Sequence, residues 1–371
     1  MSVLSREERV RVVHALCEGN SINAIVRQTG VAKTTILRLL VRVGLGCQRL
    51  LDRLLRGLSC AFVEVDEIWS YVGVKEARRK PEHPAGWGEA YTFVALDLES
   101  RAVIAFQVGR RDQVSTDAFV SDLRARLVMA PQITTDGFSA YIEAIARSFG
   151  GVVDYLQCMK NYARGGHRDD HRYEPPRDPF MVKTPIMGVP DVQKASTSHV
   201  ERQNRTMRMH IRRMTRLADA FSKKLENHVA ATALHFAYYN LVRVHETLET
   251  TPAVKLRVLD RPLSVLELVE MALDAAEEPA PPVPVPQPLA LPERHRAAAR
   301  ELPGGRGWLR IVGQGSVETA TTPPATPVAK PAEAAPVEEK RQGDLFAWAA
   351  SRKQRPEIPA GTQLSLFPTD A

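Results

Sequence analysis

The chain has 371 residues, 44% hydrophobic and 25% charged, a balance that fits neither a wholly disordered protein nor one embedded in a bilayer. No run approaches the roughly 20 consecutive apolar residues of a membrane span, and the charged start from Arg6 onward does not read as a secretory leader. A formal net charge of +7 favours a polyanionic partner, while four scattered cysteines without a C-x-x-C pair argue against a zinc ribbon or disulfide scaffold and suit a reducing cytosol.

Residues 1–45 read as three short helices. Arg6 to Glu18 carries Val10, Val13, Leu16 and Cys17 at helical spacing, and Ser21 is an N-cap for a second helix over Ile22 to Gln28. Gly30 makes the turn. Lys33 to Val43 then forms a third helix with Ile36, Leu39, Leu40 and Val43 inward. Helix, glycine-bearing turn and helix is the pattern of a helix-turn-helix. Its outer face holds Lys33, Thr34, Thr35, Arg38 and Arg42, side chains that reach phosphates and base edges. The plain alternative is a helical hairpin that only packs. A linker helix is expected over 46–59.

From Cys60 the pattern changes. Ala61 to Asp66, Tyr91 to Leu98 and Ala102 to Val108 read as strands, with a hairpin turn at Glu99-Ser100-Arg101 for which Asp97 supplies turn chemistry. A helix over Thr116 to Leu127, a strand over Gln132 to Thr135, a helix over Ser139 to Phe149 and a strand over Val152 to Leu156 follow. Antiparallel strands giving way to alternating helices and strands predict an α/β mixed sheet flanked by helices. Lys160 to Pro190 reads as a loop, and long helices are expected over about His199 to Thr215 and Phe221 to Val242. Sixteen of the 26 prolines lie between Pro279 and Ala371, so residues 274–371 read as a Pro/Ala-rich disordered tail with little to bury. The chain is therefore multidomain: an all-α helix-turn-helix (1–45), the linker helix, an α/β unit with C-terminal helices (60–273) and the tail.

Three carboxylates stand out. Asp66 in VEVDEIW and Asp136 in ITTDGF end strands, and Glu201 lies in the first turn of a helix in SHVERQNRTMRMHIRR. Such a set suits Mg²⁺, which takes a few carboxylates plus phosphate and water. Two ions together favour in-line phosphoryl displacement. Plainer readings exist: Asp136 before Gly137 makes a turn, Asp66 is an edge residue, and Ser198-His199-Val200-Glu201 fits a capping box. Against the last stands the company Glu201 keeps, namely Asn204, Arg205, Arg208 and Arg212 at helical spacing. Arg202 to Arg216 holds six arginines and no acid, where a solvated face mixes signs. The row reads as a rail for a phosphate backbone, with Met207, Ile211 and Met214 as the packing stripe. Glu64 shares the Asp66 face and could supplement a metal site, whereas Glu67 should point the other way.

The blocks VDEIWSYVG, TTDGFSAY and KASTSHVERQNRTMRMHIRRMTR, followed by ALHFAYYNLVRVHETLETTP, resemble the DDE transposases of bacterial insertion sequences, especially those grouped with insertion sequence one. The resemblance covers roughly residues 60 to 255 and includes a basic residue seven positions after the glutamate, Arg208. It implies an RNase H-like catalytic domain in which Asp66, Asp136 and Glu201 are catalytic and bind two Mg²⁺ ions, with Mn²⁺ as a substitute. His199, Asn204 and Arg208 would support the substrate strand. It also implies double-stranded DNA partners (terminal inverted repeats and target), a homodimer or higher assembly, and a bacterial cytoplasmic, nucleoid-associated location. The implied reaction is hydrolysis at an element end, releasing a 3′-hydroxyl that attacks a target phosphodiester. A helix-turn-helix regulator with an inert RNase H-like domain and another RNase H-like nuclease are the alternatives. Tyr239 to His245 resembles the family's C-terminal helix motif, expected to be structural, with Thr251-Pro252 as a stop.

The tail contains Gln363-Leu364-Ser365-Leu366-Phe367, which resembles the pentapeptide that docks bacterial replication and repair proteins on the sliding clamp. Leu364, Leu366 and Phe367 would fill an apolar groove while Gln363 fixes register. An upstream copy at Gln342 to Phe346 is weaker, because glycine replaces the first leucine.

Overall fold

The computed structural model describes residues 4–160, 181–215, 218–279 and 286–291. Helix α1 (Arg6–Cys17) opens on a capping box: Glu8 N donates to Ser5 Oγ at 3.1 Å and Ser5 N to Glu8 Oε2 at 2.7 Å. Helix α2 (Ile22–Thr29) is capped by Ser21, as expected, and ends at Gly30, whose φ of 71° suits a residue without Cβ. Helix α3 (Lys33–Leu54) runs on without a break. The expected end at Val43 and the separate helix after it are one element. Gly44 and Gly46, which look like a break, are places of close approach: a Cβ at 44 would strike Ala230, and one at 46 the backbone of Ala272.

The sheet contains β1 (Phe62–Val72), β2 (Gly88–Asp97), β3 (Val103–Gly109), β4 (Gln132–Thr135), β5 (Asp154–Lys160) and β6 (Met181–Met187) in the order β3-β2-β1-β4-β5-β6. Strands β1 to β3 are antiparallel, β4 joins β1 in parallel, β5 joins β4 in parallel, and β6 closes antiparallel on β5. Helices α4 (Gln113–Arg126) and α5 (Ala140–Phe149) follow β3 and β4. Beyond β6 come α6 (Ser198–His210), a 3-10 turn at Arg212–Met214, α7 (Leu225–Leu241), α8 (Pro252–Lys255) and α9 (Val265–Glu277). Phe93 packs on Phe119 of α4 and Tyr141 of α5, while Phe106, of opposite parity in the sheet, packs on Phe236 of α7. Helices therefore cover both faces. This is the predicted mixed sheet flanked by helices, compatible with an RNase H-like fold. The apolar core is continuous from Val12, Ile25 and Ile36 to Val65, Phe93 and Phe236.

Several boundaries differ from the sequence reading. Strand β1 continues to Val72, so Asp66 lies inside it, and what stops near Asp66 is the pairing with β4, which covers only Phe62 to Glu64. Strand β6 occupies part of the expected loop. Order also extends past Leu273: α9 has its own capping box at Ser264 and Glu267, and Ala290 exchanges hydrogen bonds of 2.8 and 2.9 Å with Val128 and Ala130.

The C-terminal motif is structural at Asn240, which is fully buried. Its Oδ1 accepts from Val103 N at 3.0 Å and its Nδ2 donates to Val103 O at 2.9 Å, pinning α7 to β3. Thr251-Pro252 begins α8, with Thr251 as its cap, and is not a stop. All four cysteines are buried and unpaired. No helix among the described residues is long and apolar enough to cross a membrane. The clamp-like pentapeptides, and the tail from residue 292 onward, lie outside the described residues.

Candidate functional site

Where β4 pairing ends, the sheet opens beside β1. Asp66, Asp136 and Glu201, brought from β1, the end of β4 and α6, line one cleft of about 670 Å³ together with Asn204, Arg205 and Arg208. Asp66 Oδ1 accepts from Glu67 N and its Oδ2 from Asn204 Nδ2, both at 2.8 Å. Burial, with Glu67 and Asp136 adding their charge, pushes the Asp66 carboxyl up to about 8. Asp136 makes the turn its sequence suggested, accepting from Phe138 N at 3.0 Å, and still lines the cleft.

Glu67 corrects the parity expectation. Carboxylate oxygens of Asp66, Glu67 and Asp136 lie within 4.8 Å of one another, a tighter group than one that includes Glu201. Strand β1 has lost its β4 neighbour at this point, so a long side chain of either parity can reach round the open edge. Both Glu67 oxygens are nonetheless engaged. Oε1 accepts from Arg111 Nε at 2.6 Å and Oε2 from the Tyr141 hydroxyl at 2.9 Å, in a side chain only 4% exposed. Glu67 is thus bonded through both oxygens to Arg111 and Tyr141, as Asp66 is bonded through both of its own to Glu67 N and Asn204.

The start of α6 corrects two further expectations. Its N-cap is Thr197, with no side-chain cap of its own, and the box from Ser198 to Glu201 does not form. Glu64 takes that role from β1. Its Oε2 accepts from the backbone N–H groups of His199 and Val200, each at 2.9 Å, and its Oε1 lies 2.8 Å from His199 Nδ1. Buried at 3% exposure, Glu64 is therefore not a supplementary metal ligand, and His199 is tied to the helix start. Glu201, released from capping, accepts from Thr197 Oγ1 at 2.7 Å.

The arginine row is shorter than its sequence. Arg205 and Arg208 reach the cleft, and Arg212 is exposed on the 3-10 turn away from it. Arg213 turns inward to Ser222 Oγ at 3.4 Å, and burial pulls its pKa down to about 10. Arg216 lies outside the described residues. Met207, Ile211 and Met214 are buried, as the stripe predicted.

On α3, Lys33, Thr34, Arg38 and Arg42 are exposed and Thr35 is half-buried. Arg42 pairs with Glu277 of α9, and Arg49 and Arg53 continue that row onto the last carbonyls of α9 and Glu278. Arg42 is therefore at least partly a structural clamp, and cations at a helix C-terminus suit the dipole. Sequence reasoning missed Arg111, Phe138 and Tyr141 altogether. The available signal was an arginine directly after a strand neighbouring the one that carries Asp66.

No protein-family model matches the chain, and no curated protein matches it at a significant level. Among solved structures, the Mos1 strand transfer complex aligns at 16% identity over 40% of this chain and 57% of that one, with a TM-score of 0.17. A pre-cleavage Mos1 transpososome aligns at 14% identity over 40% and 58%, with a TM-score of 0.15. The chain thus spans less than two thirds of either. At such TM-scores neither alignment bears on fold or chemistry.

Proposed function

We propose that the protein is a DDE-type transposase that cleaves and joins DNA by phosphoryl transfer in the cleft between β1, β4 and α6. The observation that carries this reading is the meeting of Asp66, Asp136 and Glu201 in one cleft edged by Arg205 and Arg208. The donor set fits a hard divalent cation: all oxygen, with Asp66 held up to about 8 by burial and like charge that a cation would relieve. Asp66, Asp136 and Glu201 would hold two Mg²⁺ ions, or Mn²⁺ in their place, supplying charge stabilisation for in-line displacement.

The remaining parts follow from the chain's own residues. Asn204 fixes the Asp66 carboxylate by its 2.8 Å hydrogen bond. Arg205 and Arg208 bind backbone phosphates, with Arg212 extending the contact to flanking duplex. His199, bonded to Glu64, positions the start of α6. In the first step a water oxygen bonds to phosphorus as the P–O3′ bond breaks. The departing 3′ oxygen becomes a hydroxyl, and the proton lost by the water passes to solvent. In the second step that hydroxyl attacks a target phosphorus and displaces the target's 3′ oxygen in the same way.

Residues 1–45, through Lys33, Thr34, Thr35, Arg38 and Arg42, bind terminal inverted repeats, and residues 60–273 form the catalytic unit, active as a homodimer or larger assembly. The tail motif at Gln363, Leu364, Leu366 and Phe367 docks on a bacterial sliding clamp, which places the protein in the cytoplasm at the nucleoid. The test uses a plasmid carrying the gene with its flanking DNA. Asp136→Asn is expected to bind that DNA as the wild type does while losing Mg²⁺-dependent strand cleavage by about 10²-fold or more. Cleavage that survives the substitution rejects the assignment.

A further inference from the structure

We propose that Arg111 is a further catalytic residue of the cleft, presenting a fixed guanidinium to the non-bridging oxygens of the scissile phosphate. The inference rests on the phosphoryl-transfer reading above. Arg111 lies just beyond β3, before α4 begins, and it lines the same cleft as Asp66, Asp136 and Glu201. Two contacts hold it. Its Nε donates to Glu67 Oε1 at 2.6 Å, and its Cζ stacks 3.9 Å from the centroid of the Phe138 ring.

Both supports are themselves fixed. The other Glu67 oxygen takes the hydroxyl of fully buried Tyr141 at 2.9 Å, and the Phe138 ring meets Tyr141 edge-on with centroids 5.5 Å apart. Glu67, Phe138 and Tyr141 are thus positioning residues around one side chain.

The manner of the grip matters. Arginine–carboxylate pairs are frequently bidentate, made through two parallel N–H groups. Arg111 meets Glu67 through Nε alone, and this is its one hydrogen bond among the described residues. Its Nη2 is 4.0 Å from Asp136 Oδ2, beyond hydrogen-bond reach and beside a carboxylate proposed to bind the cation. A guanidinium has five N–H donors, so four are left uncommitted. They sit on a side chain 38% exposed to the cleft and anchored to buried groups. Arg205 and Arg208 approach from α6, whereas Arg111 comes from the β3–α4 connection, so a phosphate in the cleft is met from two elements.

The chemistry requires such a donor. As water bonds to phosphorus and the P–O3′ bond breaks, negative charge is carried on the non-bridging oxygens. A donor already held in place stabilises that charge without reorganising. Arg111 transfers no proton or electron pair. Its N–H groups hydrogen-bond to a non-bridging oxygen throughout the step.

The test compares full-length wild type with Arg111→Ala and Arg111→Lys on the plasmid carrying the gene and its flanking DNA. Four quantities are read: single-turnover cleavage with Mg²⁺, DNA affinity, calorimetric Mg²⁺ affinity and Tm. Arg111→Ala is expected to slow cleavage about 100-fold, with DNA affinity kept, Mg²⁺ affinity unchanged or higher, and Tm lowered because buried Glu67 loses its partner. Arg111→Lys, which keeps the charge but not the fork, should recover only part of the rate. A cleavage rate for Arg111→Ala close to that of the wild type overturns the inference. So does a loss of rate matched by falling Mg²⁺ affinity, or one that Arg111→Lys restores in full together with Tm, either of which would make Arg111 a clamp for Glu67 and nothing more. A wild-type protein that fails to cleave at all defeats the underlying phosphoryl-transfer reading instead.

Discussion

The Glu64 carboxylate is buried beneath the first turn of α6 and receives hydrogen bonds from two backbone N–H groups and a histidine ring. Removing it leaves two buried donors unsatisfied at the helix start and frees the segment that carries Glu201 and Asn204. Glu64→Ala should therefore destabilise the protein by about 3 kcal/mol, read from urea denaturation, and weaken Mg²⁺ binding in the same titrations. A variant as stable as the wild type would show that the cap is incidental. At this scale the sequence was a good guide to residue type and a poor one to direction. Asp66, Asp136 and Glu201 stand out because acids beside strand ends and an arginine-rich helix are chemically unusual. The roles of Glu64 and Glu67 came out interchanged, with the pocket neighbour at 67 and the helix support at 64. Alternation assumes a strand paired on both sides, and nothing in the sequence says that β4 leaves β1 after Glu64.

Helix α3 lies against α7 and α9 at two points where no side chain fits. Gly46→Ala drives a methyl group into the backbone of Ala272 and should lower stability by about 1–3 kcal/mol, measured as a shifted denaturation midpoint. An unchanged midpoint would mean that α9 can move away freely. Glycines inside an apolar periodic stretch read equally as helix breaks or as close-packing sites, which is why the helix was expected to stop at Val43. Strand β6 was hidden for another reason: it is an edge strand, half-exposed along its length and interrupted by Lys183 and Pro185. Helix α9 did carry a signal, the Ser264 to Glu267 box, overshadowed by the prolines that follow. The strands from β1 to β4 were legible because short runs rich in apolar and β-branched residues, bounded by turn residues, mark buried strands.

Across the whole molecule the buried histidines set an acid limit. His228, 3.1 Å from Ser70 Oγ, and His235 are both enclosed in α7, where burial pulls their pKa values down to about 4 and about 3. Unfolded, each takes up a proton near pH 6.5. Their contribution is therefore complete above that pH and declines as pH falls toward the folded values, by about 1.4 kcal/mol per unit for each histidine. Asp66, raised to about 8, and Glu67, raised by burial and by Asp136, act in the opposite sense over part of the range, so the measurement belongs in protein carrying Asp66→Asn and Glu67→Gln. Its unfolding free energy should fall by roughly 3 kcal/mol between pH 7 and pH 5. A flat profile would mean that both rings protonate in place.

The uninterrupted course of α3 has a further consequence at this scale. A helix of 22 residues is about 33 Å long, close to one turn of B-form duplex at about 34–36 Å. It starts at the outward side chains from Lys33 and ends shortly before the strand that bears Asp66. Its last turns are tied to the C-terminal end of α4 through Asp52 and Arg56, which pair with Arg126 and Asp122, so the outward face that begins at Lys33 is carried rigidly on the same body as the sheet.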